Sequence, residues 1–164
     1  MAMNAKEILK NPVHLLAFGL GSGLSPYAPG TMGTLVAIPL FVVMARLPVI
    51  VYGLIVLACI GVGIGLCGRT SRDLKVPDHP GIVWDEITGY LITMFMLPAG
   101  WQEIIAGFLL FRLFDIWKPF PIRWLDRHVK GGTGIMLDDV LAGLFAFIIL
   151  QASYRVWGTV LPIG

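Results

Sequence analysis

The 164-residue chain is poor in charge, with 12 basic and 10 acidic side chains that together make up 13% of its residues. Its net charge of +2 is too weak to favour nucleic acid as a partner. Hydrophobic residues account for 57% of the chain, whereas soluble domains average roughly 45–50%. A soluble domain of this length has too little interior for so many apolar side chains. The composition therefore predicts an integral membrane protein that forms one domain, residues 1–164.

Cysteine and several catalytic signatures are also scarce or absent. Cys59 and Cys67 lie in one apolar run and are about 12 Å apart along a helix, too far for a disulfide between them. The chain has no P-loop (GxxxxGKS/T), no DxDxT or PSGH phosphatase motif and no DxxDGxxAR transferase motif. A polar start without a cleavage site gives no indication of a cleaved signal peptide. No internal repeat is present, which leaves the apolar segments and their charges to indicate fold and function.

The apolar segments predict an all-α, multi-pass helical membrane protein with about five membrane segments. Residues 49–68 form an unbroken apolar run, the length that a spanning helix requires. Residues 13–20 are apolar but too short to span, and they lead into a loop at 21–34 rich in Gly, Pro, Ser and Thr. Tilt or partial insertion is expected for the shorter segments, which lie at 34–45, 82–97, 102–117 and 136–157.

The basic residues predict the orientation of the chain in the membrane. They cluster in two polar loops, 69–81 and 118–134, whereas the breaks at 46–48 and 98–101 carry one positive charge between them. By the positive-inside rule, both basic loops face the cytoplasm, as does the N-terminus with its two lysines. Five segments would then place the C-terminus outside. This topology corresponds to a multi-pass membrane protein.

Acidic residues inside or beside apolar segments are the strongest pointer to function. Each costs roughly 2.5–3.5 kcal/mol near hydrocarbon unless it is paired, solvated or metal-bound. The predicted topology brings all of them near the cytoplasmic surface, where carboxylates from three segments can bind a hard cation such as Mg²⁺. The predicted metal ligands are Asp85, Glu86, Asp115, Asp138 and Asp139.

Helix capping is the alternative explanation for these acids. Aspartate favours the N-terminal end of a helix, which suits Asp138 and Asp85. It does not suit Asp115, which ends its apolar segment. Asp115 and Asp139 are also the predicted catalytic carboxylates. Glycines four residues after two of the acids, Gly89 and Gly143, predict close helix approach on the acidic face.

Basic and hydroxyl side chains near the acids are candidate phosphate ligands. Arg112 shares a helix face with Asp115 and either neutralises it or, as a third catalytic residue, binds phosphate; the two roles can coexist. The Gly-rich loop presents backbone N–H groups to an anion or is simply a flexible re-entrant turn. The predicted phosphate-binding residues are Lys118, Arg123, Ser25, Thr31, Thr34 and His79.

Three stretches of the chain together resemble one family. They are GLGSGLSPYAPGTMGTLVAIP, HPGIVWDEITG and FRLFDIWKPFPIRWLDRHVKGGTGIMLDDVLAG, and they resemble, in the same order, the phosphatidylglycerophosphatase A family of bacterial inner membranes. The resemblance covers about residues 12–150. It implies a Mg²⁺-dependent, multi-pass enzyme that hydrolyses the membrane lipid phosphatidylglycerophosphate to phosphatidylglycerol and phosphate. It leaves the oligomeric state open.

Two other classes of function are compatible with acids in apolar segments. The acids of a small transporter form a cation or proton pathway, but here they gather at one depth and do not line a path across the membrane. A non-catalytic membrane scaffold is the other alternative, and it leaves the acids without a purpose. An enzyme is therefore the favoured prediction, with a site that faces the cytoplasm.

Overall fold

A computed structural model of the protein describes residues 5–160, and all regular secondary structure in that range is helical, as predicted. Within it the α-helices, in chain order, are α1 (Ala5–Lys10), α2 (Pro12–Ala17), α3 (Pro29–Met44), α4 (Val49–Leu74), α5 (Trp84–Thr93), α6 (Trp101–Trp117), α7 (Ile122–His128) and α8 (Gly131–Val160). A 3₁₀ segment, Gly19–Leu24, lies between α2 and α3.

Helices α4 and α8 have the length and apolar character that a membrane span requires. Their most apolar windows have mean hydropathies of 2.6 and 2.0. Among the described residues only these two helices meet both criteria, so the predicted count of about five segments is not confirmed. Helix α5, with 10 residues, extends only about 15 Å, half the thickness of a bilayer core. The predicted external C-terminus lies outside the described residues.

Helix α8 lies at the centre of the molecule and packs against α4, α5, α6 and α7. Helix α5 packs in turn against α3 and α4. The main core between these helices contains the fully buried rings of Phe41, Tyr90 and Phe111. A second core, which includes Phe18 and Met136, joins the N-terminal helices to α4 and the start of α8. Helices α5, α6 and α8 therefore hold their acid-bearing ends side by side.

Two helices are longer than predicted and include residues that the sequence analysis assigned to loops. Helix α4 continues to Leu74 and α8 begins at Gly131, whereas the predicted segments end at residue 68 and begin at residue 136. Arg69 and Arg72 are exposed on the last turns of α4, so they reach solvent without leaving the helix. The polar residues therefore marked where each apolar segment of the sequence ends, and not where the helix ends. The second basic loop also contains α7.

The predicted Gly-rich loop at 21–34 is shorter in the structure because α3 begins at Pro29. Proline is compatible with the first helical position, where its missing N–H would have no intrahelical partner. Ala28 precedes it with a left-handed φ of 44°, and this sharp turn sets the direction in which α3 starts. Thr31 and Thr34 consequently lie on a helix, not in a loop.

Candidate active site

Three carboxylates from two helices meet where α5 and α8 pack together. Asp85 and Glu86 lie in the first turn of α5, and Asp139 lies in α8. Each contributes one oxygen to a group in which the oxygens are within 4.8 Å of one another. Asp85 and Asp139 are only 8% and 2% exposed. The structure thus brings together three of the five residues that the sequence predicts as metal ligands.

Glycine on both helices allows the carboxylates to meet. A Cβ atom on Gly89 of α5 would lie 2.8 Å from the carbonyl oxygen of Asp139, and a Cβ atom on Gly143 would overlap the carbonyl oxygen of Gly89. Real Cβ atoms essentially never approach backbone this closely, so any larger residue would separate the helices. The close approach predicted from the glycine spacing is thus confirmed.

A fourth carboxylate comes from the end of α6. The Oδ2 atom of Asp115 is 2.5 Å from Nη1 of Arg112. The same Nη1 atom is 3.9 Å from Oε1 of Glu86. Arg112 therefore contacts acids on both α5 and α6. It places one positive charge beside four carboxylates, so among the described residues the ion pairs of Arg112 leave most carboxylates of the site without a cationic partner.

The first turn of α3 borders this cluster. A Cβ atom on Gly30 would overlap Oε1 of Glu86 and lie 3.1 Å from Nη1 of Arg112. The buried hydroxyl of Thr34 donates to the carbonyl oxygen of Gly30, which fixes this turn, and Thr31 is half-buried within it. Backbone N–H groups at a helix start lack intrahelical partners and attract anions. Gly30 belongs to the Gly-rich loop that the sequence offered as an anion site, but it was not singled out, although Pro29 directly before it is the available signal of a helix start.

The carboxylate oxygens at the centre of the cluster fit a hard divalent cation. Oδ1 of Asp85, Oε2 of Glu86 and Oδ2 of Asp139 are buried and have no hydrogen-bond partner among the described residues. Burying a charged group without a partner is costly. Carboxylate oxygens are the ligands that Mg²⁺ prefers, so the donor set and its orphaned atoms suit this ion.

Asp138 does not join the cluster and is instead paired on the other side of α8. Its Oδ2 atom accepts a hydrogen bond of 2.5 Å from Nζ of Lys118, which also lies 3.3 Å from Oδ1 of Asp126. Burial alone would lower the pKa of Lys118, but the Asp138 and Asp126 carboxylates outweigh it and raise that pKa above its ordinary value. Successive residues of a helix point about 100° apart, so Asp138 and Asp139 face different neighbours.

The remaining predicted phosphate ligands lie outside the cluster. Arg123 is exposed on α7 and donates from Nη2 to the carbonyl oxygen of Trp117. Ser25 donates to the carbonyl oxygen of Tyr27 in an exposed turn. His79 accepts the backbone N–H of Gly81 through Nδ1. Ser25 and His79 shape local turns here, whereas Arg123 lines a groove that leads away from Arg112.

Comparison with known proteins gives consistent matches over almost the whole chain. Residues 15–154 match the family model described as phosphatidylglycerophosphatase A. The phosphatidylglycerophosphatase A of Escherichia coli is 54% identical over 98% of this chain and 92% of its own length. That of Haemophilus influenzae is 47% identical over 90% of this chain and 91% of its own.

A more distant relative from Bacteroides thetaiotaomicron, provisionally named a phosphatidylinositol-3-phosphatase, is 34% identical over 88% of this chain and 94% of its own length. No solved structure matches the chain.

Proposed function

This chain belongs to the phosphatidylglycerophosphatase A family, and from that premise we propose that it is a phosphatase that hydrolyses phosphatidylglycerophosphate to phosphatidylglycerol and phosphate. The observation that carries the proposal is the meeting of Asp85, Glu86 and Asp139 beside Arg112. Buried carboxylates with unpaired oxygens, next to one guanidinium, are the components that phosphoryl transfer requires. The comparisons give no support to a transporter.

We further propose that Asp85, Glu86 and Asp139 hold Mg²⁺. Their orphaned oxygens support this assignment. When bound, the ion would offset the negative charge of the phosphate and lower the pKa of a bound water molecule. We leave Asp138 out of this ligand set because it does not join the group of three carboxylates and its Oδ2 atom is engaged by Lys118, although its buried Oδ1 atom also has no hydrogen-bond partner among the described residues.

The reaction itself breaks the bond between phosphorus and the ester oxygen of the terminal glycerol. Water supplies a hydroxyl group to phosphorus and, in net terms, a proton to the departing alkoxide. Asp139 is our candidate for the group that accepts a proton from the attacking water, through the carboxylate oxygen that does not hold the ion. A general base of this kind typically contributes 10²–10⁴-fold to the rate.

Arg112 is our candidate for stabilising charge on the transferring phosphoryl group. Its guanidinium is planar and presents several donors in one plane, which matches phosphate oxygens. Asp115 holds this guanidinium through a 2.5 Å contact, so it acts on the arginine rather than on the substrate. The start of α3 at Gly30, which borders Arg112, adds backbone N–H groups for a second side of the phosphate.

We propose that the protein crosses the bacterial inner membrane several times, with the site facing the cytoplasm. The two membrane-capable helices and the basic loops on either side of the site support this orientation. Single cysteines at Lys75 and Lys130, in a variant without Cys59 and Cys67, test it. We expect both to be labelled only after the inner membrane is permeabilised; labelling from the periplasm of intact cells would refute the orientation.

Phosphate release by purified protein in detergent tests the activity. The substrates are phosphatidylglycerophosphate and, because of the Bacteroides relative, phosphatidylinositol 3-phosphate. We expect the first to be hydrolysed with at least tenfold higher kcat/KM. Absence of release from both lipids, in protein that is folded and supplied with Mg²⁺, would refute the proposal. Preference for the inositol lipid would keep the phosphatase class and change its substrate.

A further inference from the structure

An open groove of about 830 Å³ runs along the outer face of α6. Its walls are Leu109, Leu113, Ile116 and Trp117, with Arg112 and Arg123 as its charged members. Arg112 also contacts Asp115 and Glu86. The groove is therefore continuous with the candidate active site through a single side chain.

The wall of the groove is an exposed apolar stripe. Leu109, Leu113 and Ile116 are 61%, 52% and 72% exposed. Their spacing of four and three residues places them on one face of α6. Such a stripe is unfavourable in water but suits contact with hydrocarbon chains. Arg123 adds to this apolar groove a positive charge that suits an anionic partner.

The two arginines lie on different helices and have different surroundings. Arg112 is 16% exposed and is paired with carboxylates, so it faces the acid cluster. Arg123 is exposed on α7, where its one described contact is the carbonyl oxygen of Trp117. Because a carbonyl oxygen is neutral, this hydrogen bond does not compensate the positive charge of Arg123. A ligand that fits the groove should therefore carry apolar chains and an anionic group near Arg123, with a further anionic group that reaches Arg112.

We propose that this groove binds the lipid substrate, an anionic glycerophospholipid with an acyl chain, a phosphodiester and a terminal phosphomonoester. The acyl chain lies along the Leu109–Ile116 stripe, Arg123 binds the phosphodiester, and the phosphomonoester reaches Arg112 and the carboxylates. This inference rests on the proposed function and extends it. It adds that the lipid reaches the site from the bilayer along the outer face of α6. Arg123 becomes a specificity residue outside the catalytic cluster.

Photo-crosslinking tests the location of the chain. The probe is phosphatidylglycerophosphate with a diazirine in one acyl chain, added to the full-length Asp139→Asn protein so that turnover does not consume it. We expect adducts on Leu109, Leu113 and Ile116 that fall at least fivefold with excess unlabelled substrate and not with phosphatidylcholine. Equal labelling of Leu54 and Leu57, exposed on α4, or adducts that substrate does not displace, would overturn the proposal.

Substitution in the groove gives a second, independent measurement on otherwise active protein. Leu113→Trp should lower the ratio of kcat/KM for long-chain to short-chain substrate at least fivefold, because the added ring fills the groove. Leu54→Trp, on the exposed face of α4, is the matched control and should leave the ratio within twofold. An unchanged ratio in folded Leu113→Trp protein would contradict the proposal.

The role of Arg123 is tested in the same assay. Arg123→Gln should raise KM at least fivefold, whereas Arg127→Gln, on the same helix but outside this groove, should not. Equal effects of the two substitutions would overturn the assignment of the phosphodiester to Arg123. The two levels of inference stay distinguishable: an inactive wild-type protein refutes the proposed function, whereas an active one with undisplaced adducts refutes only the groove.

Discussion

The carbonyl oxygen of Gly89 occupies the place that a Cβ atom on Gly143 would need. This contact between α5 and α8 lies four residues beyond Asp85 on one helix and Asp139 on the other. The distance between the two carboxylates therefore depends on two residues that have no side chain. A methyl group at this contact should disturb the site without changing any charged group.

Gly143→Ala should destabilise the protein by about 1–3 kcal/mol, the usual cost of overpacking a well-packed contact, and should lower kcat/KM by separating Asp85 from Asp139. Thermal unfolding in detergent and phosphate release measure the two effects. The matched control is Gly65→Ala on α4, where a Cβ atom would meet nothing within 4 Å. Alanine is the better helix former by about 1 kcal/mol, so this control should be neutral or stabilising. Equal melting temperatures for the two variants would contradict the close-packing argument.

Removal of divalent cations should abolish activity, and Mg²⁺ should restore it. The reason is that the orphaned oxygens of Asp85, Glu86 and Asp139 have no hydrogen-bond partner in the described part of the chain, and a bound cation would compensate their charge. Binding should also raise the melting temperature, because a ligand of the folded state stabilises it. A melting curve titrated with Mg²⁺ provides this readout without substrate. Full turnover after exhaustive chelation would rule out the metal site.

Asp138 and Asp139 should respond differently to the same substitution. Asp139→Asn should lower kcat/KM at least 100-fold while the protein still folds, because it removes a charge from the cluster at nearly constant shape. Asp138→Asn weakens a charge-assisted hydrogen bond to Lys118, so we expect a loss of about 1–3 kcal/mol in stability and less than tenfold in kcat/KM. Comparable kinetic losses in the two variants would return Asp138 to the metal ligands.

Arg112→Lys should fold normally and lose at least about tenfold in kcat/KM, equivalent to ~1.4 kcal/mol of transition-state stabilisation. Lysine keeps the charge beside Asp115 but lacks the planar fork that matches phosphate. Arg46→Lys, at the exposed turn between α3 and α4, should have no effect. Near wild-type kinetics in Arg112→Lys would mean that the site needs only the charge of this residue.

The acids that meet in the structure were identifiable in the sequence because a carboxylate in an apolar segment is expensive and needs a reason. Asp85, Glu86, Asp115 and Asp139 stood out on this ground alone. The apolar runs likewise predicted the helices, although the ends of α4 and α8 were misplaced. Helix ends depend on capping and tertiary contacts, and Arg69 shows that a charged residue reaches solvent from within a helix.

Composition and residue spacing are enough to establish a helical protein with long apolar segments and with carboxylates at the ends of several of them, because these properties depend on local stretches of the chain. They do not establish that Asp139 belongs to the carboxylate cluster whereas Asp138 pairs with Lys118, that Gly30 brings the start of α3 to Glu86, or that Arg112 borders both the cluster and a groove. These relationships depend on how each helix is rotated about its axis when it packs. That rotation is set by contacts between residues far apart in the sequence, such as Gly89 and Gly143.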